Sequence, residues 1–170
     1  MRNSCIFRCR MERGCKGMKT SEQQKVLLAV DLGLRAGLAW FAEDGRLLRA
    51  RATHFANKTI LRRALPSIWN EVPGVAHIVL EGGEPLADIW RKSAERQGLP
   101  VTQICAEDWR KEVLLPSQQG DGPLAKSLAC RMARSIARDA GLAPATELVD
   151  DAAEAIVFGQ WFCRKLQPPD

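Results

Sequence analysis

Four carboxylates stand out because of what surrounds them. Asp31 closes the run Lys25 to Asp31, KVLLAVD, and Glu81 follows Ala76 to Leu80, AHIVL. Both runs are short, apolar and rich in branched residues, the pattern of buried strands. A carboxylate at the end of such a strand is costly unless a cation, a proton or hydrogen bonds compensate it. Two strand-end acids suggest one shared site, and Gly82 and Gly83 leave space for a ligand to come close to Glu81. Asp151 and Glu154 lie three apart on a predicted helix, Asp151 to Cys163, so both share one face, with Ala152, Ala153 and Ala155 free to pack closely. Four converging acids repel at neutral pH, and such a group is stable chiefly around hard, oxygen-preferring cations. Magnesium is the natural occupant, with manganese as a substitute. A pair of such ions about 4 Å apart activates water and stabilises a leaving oxygen in phosphodiester hydrolysis, with no histidine required. The chain has only His54 and His77.

Each acid also has a structural explanation. Asp31 fits a hydrogen-bonding role in the turn at Gly33, and Glu81 fits as an anchor of the Gly82-Gly83 turn. Asp151 and Glu154 have the spacing of a capping box, at N-cap and N3. Asp150, four residues before Glu154, competes with Asp151 for the helix-facing position.

The scaffold around these residues is read from the same kind of pattern. After the first strand, Gly37 to Phe41 and Arg46 to Thr53 flank Glu43-Asp44-Gly45, a hairpin signal that makes three antiparallel strands. Lys58 to Asn70 has helical spacing, interrupted by Pro66. Ala76 to Leu80, a helix over Leu86 to Arg96 and a strand over Leu99 to Ile104 form a β-α-β crossover. A short helix is expected over Glu107 to Leu114, and Pro116 to Pro123 has the composition of a mobile loop. Leu124 to Ala140 is amphipathic: Leu128, Met132, Ile136 and Ala140 share one face, opposite Lys126, Arg131, Arg134 and Arg138. That basic face suits solvent and phosphate equally. Trp40, Trp69, Trp90, Trp109 and Trp161 are expected in the core or at its boundary rather than as base-stacking platforms.

With 170 residues, a single domain over 23–166 is expected, with 1–22 as a disordered basic tail or an overextended start and 167–170 as a short C-terminal tail. Six of the 25 basic residues and one of the 20 acidic ones lie in 1–19, so the net charge of +5 belongs to the tail and the rest is neutral. Bulk charge is therefore a weak argument for nucleic acid, although metal-binding acids mask basic residues that hold phosphates. Cys5, Cys9, Cys15, Cys105, Cys130 and Cys163 show no CxxC spacing, which favours reduced thiols in a cytoplasmic protein over a zinc site. No apolar run is long enough to span a membrane.

The order D-L-G at Asp31, L-E-G-G at Glu81 and D-A-A-E-A at Asp151 and Glu154 resembles the RuvC-type Holliday-junction resolvases of the ribonuclease H-like superfamily, over about Lys25 to Phe162. The resemblance implies an α/β domain with a mixed five-stranded sheet, three antiparallel strands plus two parallel, and helices on both faces. It also implies two magnesium ions held by Asp31, Glu81, Asp151 and Glu154, cleavage of branched DNA, and a homodimer. The segment LAKSLACRMA is similar to the family's lysine-bearing helix, which makes Lys126 the residue to meet the scissile phosphate or attacking water. EDWRKEVL is similar to a basic segment before it, marking Arg110 and Lys111 as nucleic-acid contacts, and Arg131 and Arg134 on the basic face of the Leu124 to Ala140 helix are expected to join them. Leu32 stands where the family commonly has proline, Glu154 where it usually has aspartate, and Gly82-Gly83-Glu84 where an aromatic wedge can enter the junction. Three rival readings share parts of this pattern: an actin-like nucleotide site at Asp31 to Gly37, a nuclease of structured RNA on the same fold, and a non-catalytic binding module. The first lacks a second glycine-rich phosphate loop and a second domain.

Overall fold

The computed structural model describes residues 24–119, 122–142 and 150–167. Its strands are β1 (Val26–Asp31), β2 (Arg35–Ala42), β3 (Leu47–His54), β4 (Val75–Glu81) and β5 (Val101–Ile104), hydrogen-bonded in the order β3-β2-β1-β4-β5. The first three are antiparallel neighbours, while β4 runs parallel to β1 and β5 parallel to β4. The helices are α1 (Lys58–Trp69), α2 (Leu86–Glu95), α3 (Ala106–Val113), the single turn α4 (Pro116–Gln119), α5 (Gly122–Asp139) and α6 (Asp150–Leu166). This is the expected α/β, ribonuclease H-like topology. The stretch expected to be a loop over Pro116 to Pro123 contains α4 and the first turn of α5, with residues 120–121 outside the described residues. Local composition marks the Gly and Pro there but cannot show that Pro occupies the first turn of a helix, a position that tolerates it. The expected tails, 1–22 and most of 167–170, likewise fall outside the described residues.

Side-chain alternation along the strands divides the core into two layers. Val26, Leu28, Val30, Leu38, Trp40, Ile78 and Leu80 face α1 and α2. Leu27, Ala29, Ala39, Phe41 and Val79 face α5 and α6, with Trp109 of α3 in the same layer. Counting two residues on from Ala29 and from Val79 brings Asp31 and Glu81 to the α6 side of the sheet. The antiparallel half is set by the hairpin at Gly45, whose φ of +83° suits glycine and whose N–H donates to the Ala42 carbonyl.

The helix α6 crosses β1 and β2 at very short range. A Cβ added at Gly159 would lie 2.4 Å from Phe41 Cε2 and 2.7 Å from the Ala29 Cβ, so glycine is what lets the helix axis approach this closely. Ala152, Ala153 and Ala155, all buried, continue the small surface toward the N-terminal end of the helix. The depth at which α6 sits on the sheet is thus set by small side chains, and Glu154 is carried at that depth. On α5 the wheel holds: Leu128 and Ile136 are buried, and Lys126, Arg131, Arg134 and Arg138 are exposed.

Candidate metal centre

The strands β1 and β4 are adjacent and parallel, and their pairing register places Asp31 directly beside Glu81 at the carboxyl end of both. In open α/β sheets this end is where ligands bind. The two turns leaving the strands are fastened together. Leu32 N–H donates to the Glu81 carbonyl (2.9 Å), and Leu32 packs on Gly82, where an added Cβ would sit 3.0 Å from the Leu32 Cβ. Gly82 adopts a φ of +122°, which glycine accepts and other residues resist. The Gly82 carbonyl accepts from Gln103 Nε2 (2.7 Å), and its N–H donates to the Ile104 carbonyl (3.4 Å). Backbone groups and Gln103 therefore hold the glycine turn. Leu32 serves as the spacer between the two turns.

On that same face of the sheet, α6 lowers Glu154 onto the pair. Asp31, Glu81 and Glu154 each present a carboxylate oxygen, and these atoms lie within 4.8 Å of one another. Glu81 is 9% exposed and Glu154 7%, the buried charged residues among the described part of the chain. Burial is the main cause that pushes the Glu81 carboxyl up to about 7, followed by the negative charge of Glu154, with Arg110 opposing and Glu107 adding to the rise. Oxygen-only donors, two of them buried and the third, Asp31, half-buried, lie close enough to repel and form a set that fits a hard divalent cation better than a soft metal. Neither a histidine nor a cysteine takes part in this group. His77 lies at the other end of β4, with Nε2 2.9 Å from Thr102 Oγ1 and its ring against Phe162.

Three of the four acids picked out in the sequence thus come together. For the fourth, the backbone of Asp150 and Asp151 forms the first turn of α6, while their side chains lie outside the described residues. Glu154 joins the cluster and bonds Arg110. Lys126 stands exposed in the second turn of α5, and Lys111 is exposed on α3.

Arg110 occupies a place that sequence reasoning does not foresee. Its Nη2 donates to Glu154 Oε1 at 2.8 Å, at the edge of the acid cluster. The register Glu81 opposite Ile104 brings the end of β5, and hence the start of α3, beside the centre. Cys105 and Asp108 close that start: the Cys105 N–H donates to Asp108 Oδ2 at 2.9 Å. Glu107 and Arg110, three apart on α3, both fall within electrostatic reach of Glu81. Their spacing on one helix face is visible in EDWRKEVL, but nothing local says which way that face turns.

No family model matches the chain, and no curated protein matches it. Among solved structures, the chain is similar to the catalytic core domain of BIV integrase, with 11% identity and a TM-score of 0.35 over 79% of this chain and 80% of that one. It is also similar to a chain of the simian T-cell lymphotropic virus intasome in complex with the PP2A regulatory subunit B56 gamma, with 9% identity and a TM-score of 0.34. That alignment covers 86% of this chain and 58% of the intasome chain. At TM-scores this low, the fold assignment stands on the strand order and directions described above. Among the described residues, no helix is long and apolar enough to cross a membrane.

Proposed function

We propose that this chain is a divalent-metal-dependent endonuclease that hydrolyses phosphodiester bonds, with four-way or otherwise branched DNA as its substrate. The observation that carries the reading is the convergence of Asp31, Glu81 and Glu154 within 4.8 Å at the carboxyl ends of two central strands. Structural roles for these acids do not require that convergence; a cation does. Magnesium, or manganese in its place, would be held as a pair of ions by Asp31, Glu81 and Glu154 with Asp151 as the fourth acid, and would supply an activated water and a counter-charge for the leaving oxygen. Glu81 and Glu154, buried and fastened to the sheet and to α6, are pre-organised acceptors that need little rearrangement. Lys126 holds the scissile phosphate or the attacking water from the exposed side of α5. Lys111, Arg131 and Arg134 contact phosphates along the flanking backbone, with exposed charges suited to positioning rather than base reading. Symmetric cutting of a four-way junction calls for two copies related by a twofold axis, so the active form is a homodimer.

The test is magnesium-dependent cleavage of labelled four-way junctions, linear duplex and structured RNA, beside an Asp31→Asn variant whose folding is checked by circular dichroism. Paired symmetric nicks confined to the junction, and lost in the variant, are expected. Cutting of unbranched DNA or of RNA would keep the metal nuclease and discard junction preference. Inertness toward all three with magnesium and with manganese would overturn the proposal.

A further inference from the structure

The contacts between α3 and α6 run along one stripe. Glu154, Phe158, Trp161 and Lys165 recur at intervals of four, three and four residues, which puts them on a single face of α6. Each meets α3: Glu154 with Arg110 (2.8 Å), Phe158 with Trp109 (ring centroids 6.4 Å apart), and both Trp161 Nε1 (3.0 Å) and Lys165 Nζ (2.8 Å) with Glu112. The short helix is buttoned along the long one, and the button nearest the acids is Arg110. Its guanidinium also lies 5.3 Å from the centre of the Trp109 ring, and Trp109 is fully buried. The Arg110 side chain is 26% exposed, and its Nε is buried with no hydrogen-bond partner among the described residues. Leaving a guanidinium donor buried and unmatched is unfavourable. An arginine whose task was only to grip a phosphate would sit at the surface with its donors in water, as Arg131 and Arg134 do.

We infer that Arg110 is a positioning residue of the metal centre, which holds Glu154 in place and offsets part of the acid cluster's charge while no cation is bound. The inference rests on the metal-site reading proposed above. Its physical basis is the proximity of three carboxylates, which without a positive neighbour would drive the least constrained of them outward. Glu154 sits on the first turns of α6 and is the acid that is not anchored by strand pairing, so it is the one that needs a clamp. Arg110 engages Glu154 through Oε1. In this arrangement the arginine and the cation share Glu154 and perform overlapping electrostatic work.

The experiment compares thermal melts of the full chain, wild type and Arg110→Gln, in EDTA and in millimolar magnesium or manganese chloride. Breaking a largely buried pair by removing one partner leaves an uncompensated charge, so Arg110→Gln is expected to melt about 4–8 °C lower in EDTA. Because the cation takes over the missing charge, the metal-induced rise in Tm should be larger in the variant than in wild type by several degrees. Arg110→Lys, which keeps the charge, should recover part of the loss, and in a Glu154→Gln background Arg110→Gln should cost less than about 2 °C. Wild-type melting of Arg110→Gln in EDTA with an unchanged metal response would overturn the inference and leave the metal centre standing. A wild-type protein that ignores both metals would overturn the metal-site reading beneath it. If Arg110→Gln alone does not fold, the Arg110→Gln/Glu154→Gln pair decides: a folded double variant supports the clamp, and an unfolded one assigns Arg110 to packing instead.

Discussion

Glu81 should make the metal-free protein less stable as the pH rises, which is the reverse of the usual behaviour of a structural carboxylate. Its carboxyl is pushed up to about 7, by burial first and by Glu154 second, whereas in the unfolded chain it titrates near 4.5. Between these two values the folded state holds a proton that the unfolded state has lost, so stability falls as pH climbs through the window and the full penalty is present above about 7. At about 1.4 kcal/mol per tenfold change in proton affinity, the ceiling on this penalty is about 3 kcal/mol. Residual solvent access reduces it to about 1–2 kcal/mol. For a domain of this size that corresponds to about 3–6 °C in Tm. Glu81→Gln keeps the shape and removes the charge. In EDTA it should match wild type near pH 4.5 and melt about 3–6 °C higher at pH 8, measured by circular dichroism. Magnesium should invert the order at pH 8, because it stabilises only a protein that retains the ligand. A variant that melts below wild type at pH 8 in EDTA, or a difference that does not change with pH, would refute the reasoning.

Gly159→Ala should cost about 1–3 kcal/mol, because the new methyl group meets Phe41 and Ala29 at distances that force α6 away from the sheet. The same variant should bind magnesium more weakly by calorimetry, since Glu154 moves with the helix. Replacing Arg131 and Arg134 with glutamine should leave stability, measured by thermal melts, within about 0.5 kcal/mol of wild type. If those residues meet DNA phosphates, the slope of log affinity against log salt should fall by about 0.9 for each, and an unchanged slope would return the face of α5 to solvent.

Much of this molecule can be read along the chain. Short, continuous apolar runs locate β1 and β4, the Glu43-Asp44-Gly45 turn locates the hairpin, and the 3.6-residue wheel separates the buried and exposed faces of α5. Asp31 and Glu81 are conspicuous as charges ending apolar runs, a local contradiction that no tertiary knowledge is needed to see. Element boundaries differ by at most three residues. The segment after Pro116 forms helix where a loop is expected, because glycine and proline mark a break without fixing the conformation on its far side. The role of α3 is not legible either. Arg110 stands out only as one basic residue among several in EDWRKEVL, and the spacing that sets Glu107 on the same helix face does not say which way that face turns.

The reason is the range of the interactions. Strand and helix formation, the face each strand offers to the core, and the cost of a charge at a strand end depend on residues within a few positions of one another. Those short-range terms are written in the chain, and they are enough to define the elements and to single out the acids. Which acids meet depends on the parallel register of β1 with β4 and on how closely α6 approaches the sheet through Gly159. The partner of Glu154 depends on the docking of α3, 44 residues away in sequence. Such distances are settled by packing across the whole domain, so they emerge with the folded structure and in no stretch of chain short enough to read by pattern.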